Sequence, residues 1–164
     1  HLSSRRQRQM CIRDSPWIIK KYFKSEESAV DADNWFDTGD ISSIDPDGYM
    51  AIVDREKDVI KSGGEWISSI DLENVIANHP DVLQTAVVGI PHPKWDERPL
   101  LFIVSNSGNE FDRSELDDLM LEKFEKWQLP DDVVFLKELP IGATGKVKKI
   151  DLRQEYTDHY MKES

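Results

Sequence analysis

Asp54-Arg55-Glu56-Lys57-Asp58-Val59-Ile60-Lys61-Ser62-Gly63-Gly64-Glu65-Trp66-Ile67 decides how this chain is organised. Up to Asp58 the residues are charged and read as a linker; from Val59 apolar residues return around a Gly63-Gly64 pair, and a folded domain begins. About eighty residues further on stands a second glycine- and lysine-bearing segment, Leu139-Pro140-Ile141-Gly142-Ala143-Thr144-Gly145-Lys146. The two flank one compact domain. An acidic turn, Phe36-Asp37-Thr38-Gly39-Asp40, lies just upstream of the linker.

Composition narrows the classes open to such a domain. With 164 residues, 38% apolar and 32% charged, the chain has the makeup of an ordinary globular protein with one good core. A net charge of -11 opposes a nucleic-acid partner, whose phosphates it repels, but leaves room for a small nucleotide held by a local site. The single cysteine, Cys11, excludes an internal disulfide framework and a multi-cysteine zinc site, and points to a reduced, cytoplasmic setting. The longest clean apolar run, residues 100–104, is too short for a transmembrane segment. Residues 1–15, with Arg5, Arg6, Arg8 and Arg13 and no hydrophobic period, read as a non-native or disordered leader.

Residues 16–54 open with a short apolar stretch and a helix expected over 25–30. Asp45-Pro46-Asp47-Gly48 suits a type I turn, with Pro second and Gly fourth, so residues 41–44 and 49–53 form a β-hairpin. Residues 55–58 are the linker, and 59–164 the compact domain. Ser68 with Asp71 starts a helix whose Leu72, Val75 and Ile76 share a face and which stops before His79-Pro80. Residues 83–90, 99–104 and 133–136 read as strands, with 91–97 as a rigid loop between the first two. Asp112 caps a second helix, with Leu116, Leu119, Met120 and Phe124 at helical spacing, and residues 150–156 form the last. The expected fold is α+β: a three-stranded sheet with flanking helices, preceded by the β-hairpin.

These segments, in this order from about Pro16 to Tyr156, resemble the carboxy-terminal part of the adenylate-forming (AMP-binding) enzymes, with medium- and long-chain fatty acyl-CoA ligases nearest. The resemblance implies a small C-terminal lid domain, with the hairpin closing a large N-terminal adenylation domain that carries the acyl and adenine pockets. That large domain is then the partner of this chain, and the chain alone is expected to be inactive.

Acyl-adenylate formation brings a carboxylate against the α-phosphate of ATP, so two anions must meet. Positive charge has to stand where the phosphorus gains negative charge. Lys146, a long ammonium-bearing stem after Gly142 and Gly145, is suited to that, and by resemblance it is the adenylation lysine. A P-loop fails on spacing, since two residues separate the glycines and Val147 follows the lysine. The resemblance further gives Asp40 and Arg55 to the ribose of ATP, a task vicinal hydroxyls and a carboxylate perform well. It makes Lys57 the hinge about which the lid rotates between half-reactions. Lys61, counted by the resemblance as a second catalytic lysine, then stands with Ser62, Gly63, Gly64, Glu65 and Trp66 on the face that receives CoA, with Mg2+ accompanying ATP. Plainer readings stand beside each: a turn aspartate for Asp40, a surface pair with Asp54 or Asp58 for Arg55, and core for Trp66. For Lys148 and Lys149 the choice is between phosphate anchors and a solvated face; Glu73, His79, His92, Phe124 and Trp127 read as structural.

The reading that follows is the C-terminal part of an ATP-dependent fatty acid–CoA ligase, taking a carboxylic acid, ATP and CoA to acyl-CoA, AMP and pyrophosphate. Two alternatives remain: an adenylation domain serving a carrier protein, or a stand-alone, non-catalytic lid or binding module.

Overall fold

Runs of β-branched and aliphatic residues that are too apolar to face water on either side build the centre of the sheet. The computed structural model describes residues 8–12, 18–108 and 110–162. By contacts the chain divides into two units, His1–Lys57 and Asp58–Ser164.

In the first unit, β1 (Arg8–Ile12), β2 (Phe36–Ile44) and β3 (Met50–Arg55) form an antiparallel sheet in that order. The expected hairpin is β2–β3, and the Gly48 amide donates to the Asp45 carbonyl across its turn. Part of the presumed leader is thus paired as β1, while residues 1–7 and 13–15 lie outside the described residues. The helix expected over 25–30 does not form. Ser25 Oγ accepts from the Glu27 amide, Ser28 Oγ from the Val30 amide, and Asp31 Oδ1 from the amides of Asp33 and Trp35. Those side chains offer the backbone local partners that compete with the helical ladder. Tyr22, Phe23 and Trp35 are exposed, as are Ile44, Tyr49, Met50 and Ile52 of the hairpin.

In the second unit, β4 (Ile60–Ser62) and β5 (Glu65–Ile67) form a tight hairpin, followed by α1 (Ser69–Ile76). Then come β6 (Val82–His92), β7 (Asp96–Ser105), α2 (Arg113–Leu121), β8 (Asp132–Phe135) and α3 (Lys149–Glu155). The sheet runs β5-β4-β7-β6 with β8 parallel to β7, five strands rather than the three expected. The two extra strands have three residues each, too short to show a period of their own. The segment read as a rigid loop, 91–97, is the tip of the β6–β7 hairpin, where Pro91 pairs with Glu97 and His92 with Asp96. His92 Nδ1 accepts from the amides of Lys94 and Trp95 and closes that tip.

Alternate residues of the central strands feed two cores. Ile60, Ile67, Val87, Leu101 and Ile103 pack with Leu72 and Ile76 of α1 and Leu116 and Met120 of α2. Ala86, Val88, Ile90, Leu100, Phe102 and Val104 pack with Leu139, Leu152 of α3 and Tyr160. Both expected caps are present: Ser68 accepts from the Asp71 amide and Asp112 from the Ser114 amide. The Ser114 bonds hold the Asp112 carboxyl below its ordinary range. Among the described residues no helix is long and apolar enough to cross a membrane.

Candidate functional site

Asp40 and Arg55 are cross-strand partners on β2 and β3, and Arg55 Nε lies 3.6 Å from Asp40 Oδ1. Of the plainer readings for this pair, neither is what the side chains do. The segment read as an acidic turn, 36–40, lies instead in β2, where Asp37 Oδ1 accepts from the Gly39 amide at 2.8 Å and Gly39 takes φ 67°. Asp54 turns its Oδ1 to the Arg55 amide at 2.7 Å, and Asp58 pairs with Arg153. The Arg55 side chain remains 67% exposed, so its pairing with Asp40 is a solvated surface ion pair.

The linker changes allegiance over three residues. The Glu56 amide donates to the Gly39 carbonyl in the first unit, and Asp58 is tied to Arg153 of α3 in the second. Lys57 stands between them, exposed, at the last position of the first unit.

Gly63 and Gly64 are the two central residues of the β4–β5 hairpin, at φ 59° and 87°. Positive φ at both positions is what a type I′ turn requires, and glycine supplies it without a Cβ penalty. A Cβ on Gly63 would also stand 3.2 Å from Trp95 Cε3, and the Gly63 amide donates to the Trp95 carbonyl at 2.8 Å. Alternation on β4 and β5 buries Ile60, Ser62 and Ile67 and turns Lys61 and Trp66, themselves cross-strand partners, outward. Trp66 is therefore 43% exposed and not core. Beside the turn lies a cleft of about 380 Å³ lined by Ser62, Gly63, Glu65, Trp95, Arg98, Trp127 and Asp131. Trp127, read from the sequence as core, is a half-exposed wall of this cleft. Arg98 and Asp131 are further residues that sequence reasoning passed over. Arg98 follows Asp96 and Glu97 at the charged start of β7, where a further charge gives no signal of burial.

Lys146 is carried by a second tight hairpin. Ile141 bridges Val147, the Gly142 amide donates to the Lys146 carbonyl at 2.8 Å, and the Gly145 amide to the Gly142 carbonyl at 2.9 Å. Gly145 sits at φ 78° in the left-handed position that ends such a three-residue loop. The Lys146 side chain is exposed and, among the described residues, has no ion-pair partner. Its neighbours are engaged: Lys148 Nζ lies 2.6 Å from Asp151, and Lys149 Nζ 2.7 Å from Glu73 and 2.8 Å from Ser69 Oγ. Lys149 is thus not part of a solvated face; it ties the start of α3 to α1. Glu73 also accepts from the Val87 amide, in keeping with a structural part. His79 stacks on Phe111, and among the described residues no cluster of His, Cys, Asp or Glu is arranged to hold a metal.

Two glycine hairpins stand on this α+β domain, one presenting Lys146 and the other bordering a cleft walled by Trp95 and Trp127. Residues 71–146, within the second unit, match the AMP-binding enzyme C-terminal domain family. The chain is 52% identical over 142 residues to the 3-methylmercaptopropionyl-CoA ligase of Ruegeria lacuscaerulensis, covering 87% of this chain and 26% of that protein. It is 45% identical to the medium-chain-fatty-acid–CoA ligase of Ectopseudomonas oleovorans, covering 90% and 27%. Among solved structures it resembles the o-succinylbenzoate CoA synthetase of Bacillus subtilis in complex with an acyl-adenylate, with a TM-score of 0.74, 32% identity, and coverage of 82% and 28%. The chain spans about a quarter of the length of the curated relatives it matches.

Proposed function

We propose that this chain is the lid and linker of an ATP-dependent acid–CoA ligase that joins a carboxylic acid, of the fatty-acid kind, to CoA through an acyl-adenylate. The observation that carries the reading is Lys146, exposed and without an ion-pair partner among the described residues, on a hairpin whose backbone bonds fix its base, at the end of the segment that matches the AMP-binding enzyme C-terminal domain.

In the first half-reaction a carboxylate oxygen bonds to the α-phosphorus of ATP and pyrophosphate leaves. Lys146 places an ammonium beside the oxygens that gain charge there. Asp40 accepts from the ribose hydroxyls, and Arg55 adds a donor at their edge; their spacing of 3.6 Å suits two groups sharing one sugar. In the second half-reaction the CoA sulfur bonds to the acyl carbon and AMP leaves. The Gly63-Gly64 turn, bare of side chains, lets a thin pantetheine arm pass close to backbone, with Lys61 and Trp66 outward beside it. Rotation about Lys57 exchanges one hairpin for the other, because Glu56 and Asp58 are already held by different units. Mg2+ accompanies the nucleotide phosphates. The reaction belongs in the reducing cytoplasm, as the single cysteine suggests.

The test replaces the matching 142-residue segment of the Ruegeria ligase with this chain. Pyrophosphate release without CoA and acyl-CoA formation with it are then measured. Both are expected, with Lys146→Ala lowering adenylation by about 10²-fold. The isolated chain, which spans about a quarter of its relatives' length, is expected to give neither. Adenylation indifferent to Lys146, or turnover by the chain alone, overturns the proposal. Free CoA outcompeting a pantetheine-bearing carrier protein separates a CoA ligase from a carrier-loading domain.

A further inference from the structure

Arg98 is 7% exposed, and all five N–H donors of its guanidinium are used. Nε and one terminal nitrogen form a fork on the Asp131 carboxylate, at 2.7 and 2.6 Å. That terminal nitrogen also donates to the Leu129 carbonyl at 3.0 Å. The other donates to the Trp127 carbonyl at 2.7 Å and to the Ser62 hydroxyl at 3.0 Å. Four of the five bonds therefore reach the 127–131 segment, one wall of the cleft. The fifth reaches Ser62, where the Gly63-Gly64 turn of the opposite wall begins.

A buried charge is a poor device for stability, since an apolar side chain of similar size often serves the core as well. Its advantage is geometry: a planar fork with every donor engaged fixes the relative position of whatever it holds. Here it holds two segments that no covalent or ladder contact joins directly. Trp95 completes the arrangement, its ring against Gly63 and its carbonyl bonded to the Gly63 amide.

We propose that Arg98 is a positioning residue for the thioester-forming half-reaction, setting the width of the cleft between the Gly63-Gly64 turn and Trp127 in which CoA is received. This rests on the reading of the turn as the CoA face. Arg98 touches neither reacting atom, so it governs where the thiol arrives and leaves acyl-adenylate formation alone.

Arg98→Lys keeps the charge but loses the fork and two donors; Asp131→Asn weakens the far anchor and leaves Arg98 in place. In the 164-residue chain, amide hydrogen exchange over residues 62–65 is expected to rise about tenfold or more in Arg98→Lys, with β6 and β7 amides unchanged. In the grafted ligase the KM for CoA is expected to rise about tenfold or more while the adenylation rate stays within about twofold. Asp131→Asn follows in the same direction with a smaller effect. An unaltered exchange pattern overturns the positioning claim, as does an unaltered KM or an equal loss of both half-reactions. Failure of the unmutated graft to form thioester sinks the CoA reading instead, while exchange still decides whether Arg98 holds the turn.

Discussion

Lys149 and Glu73 offer the sharpest energetic test of how the lysine hairpin is held. Lys149 lies three residues past Lys146, and its ammonium is 2.7 Å from Glu73 Oε1, with side-chain exposures of 14% and 19%. At an effective dielectric near 20, two unit charges at that distance attract by about 6 kcal/mol. Loss of hydration opposes most of this, several kcal/mol for each ion. The net coupling should therefore fall at about 1–2 kcal/mol, above the roughly 0.5 kcal/mol of a solvated pair. Glu73→Gln keeps an acceptor for the Val87 amide and removes the charge, so the cycle isolates the ionic part. Lys149→Met should cost about 2 kcal/mol, since it leaves a partly buried carboxylate, and the double variant little more than that. Urea denaturation followed by the helix signal reads the second unit, because α1, α2 and α3 all lie there. The four m-values must agree for the cycle to hold. A coupling under about 0.5 kcal/mol refutes the anchoring role and returns Lys149 to the solvent-facing cations.

Two further perturbations bear on other parts of the molecule. The Tyr160 hydroxyl donates to the Pro99 carbonyl at 2.8 Å, and burial, then the nearby Asp131 and Asp132, push its pKa above the ordinary value of 10. A raised folded-state pKa favours the protonated folded form, so this stabilisation is complete below pH 10 and is lost as pH climbs beyond it. Tyr160→Phe should cost about 1 kcal/mol at neutral pH and flatten the alkaline loss of stability; a slope identical to wild type counts against it. Lys57→Pro in the grafted ligase fixes φ at the junction of the units and should lower thioester formation at least tenfold more than adenylation. Equal loss of both argues against a hinge there.

What could be read from the sequence was local in character. Ser68 with Asp71 and Asp112 with Ser114 are pairings within three residues, and Asp45-Pro46-Asp47-Gly48 carries its own turn chemistry, so each element end was legible before any tertiary contact. The strands β6, β7 and β8 declared themselves through length and apolar content. What escaped depends on distance along the chain. The strand β4 has three residues and gains its meaning by pairing Ser62 with Asp96, and the Lys61 amide by donating to Glu97, 36 positions on. The bonds of Arg98 reach partners 29 to 36 positions away, so no window of sequence holds both ends. Trp127 escapes for the same reason, since only the placement of Ser62 and Gly63 across from it makes a cleft. The helix expected over 25–30 failed by the opposite route, since Ser25, Ser28 and Asp31 satisfy the backbone within four residues. Lys146 and the bare glycine turn are thus motif-level features, visible in one dimension. The width of the opening beside that turn belongs to a guanidinium whose partners only the fold assembles, and substitutions at Arg98 should show that motif and opening are separable.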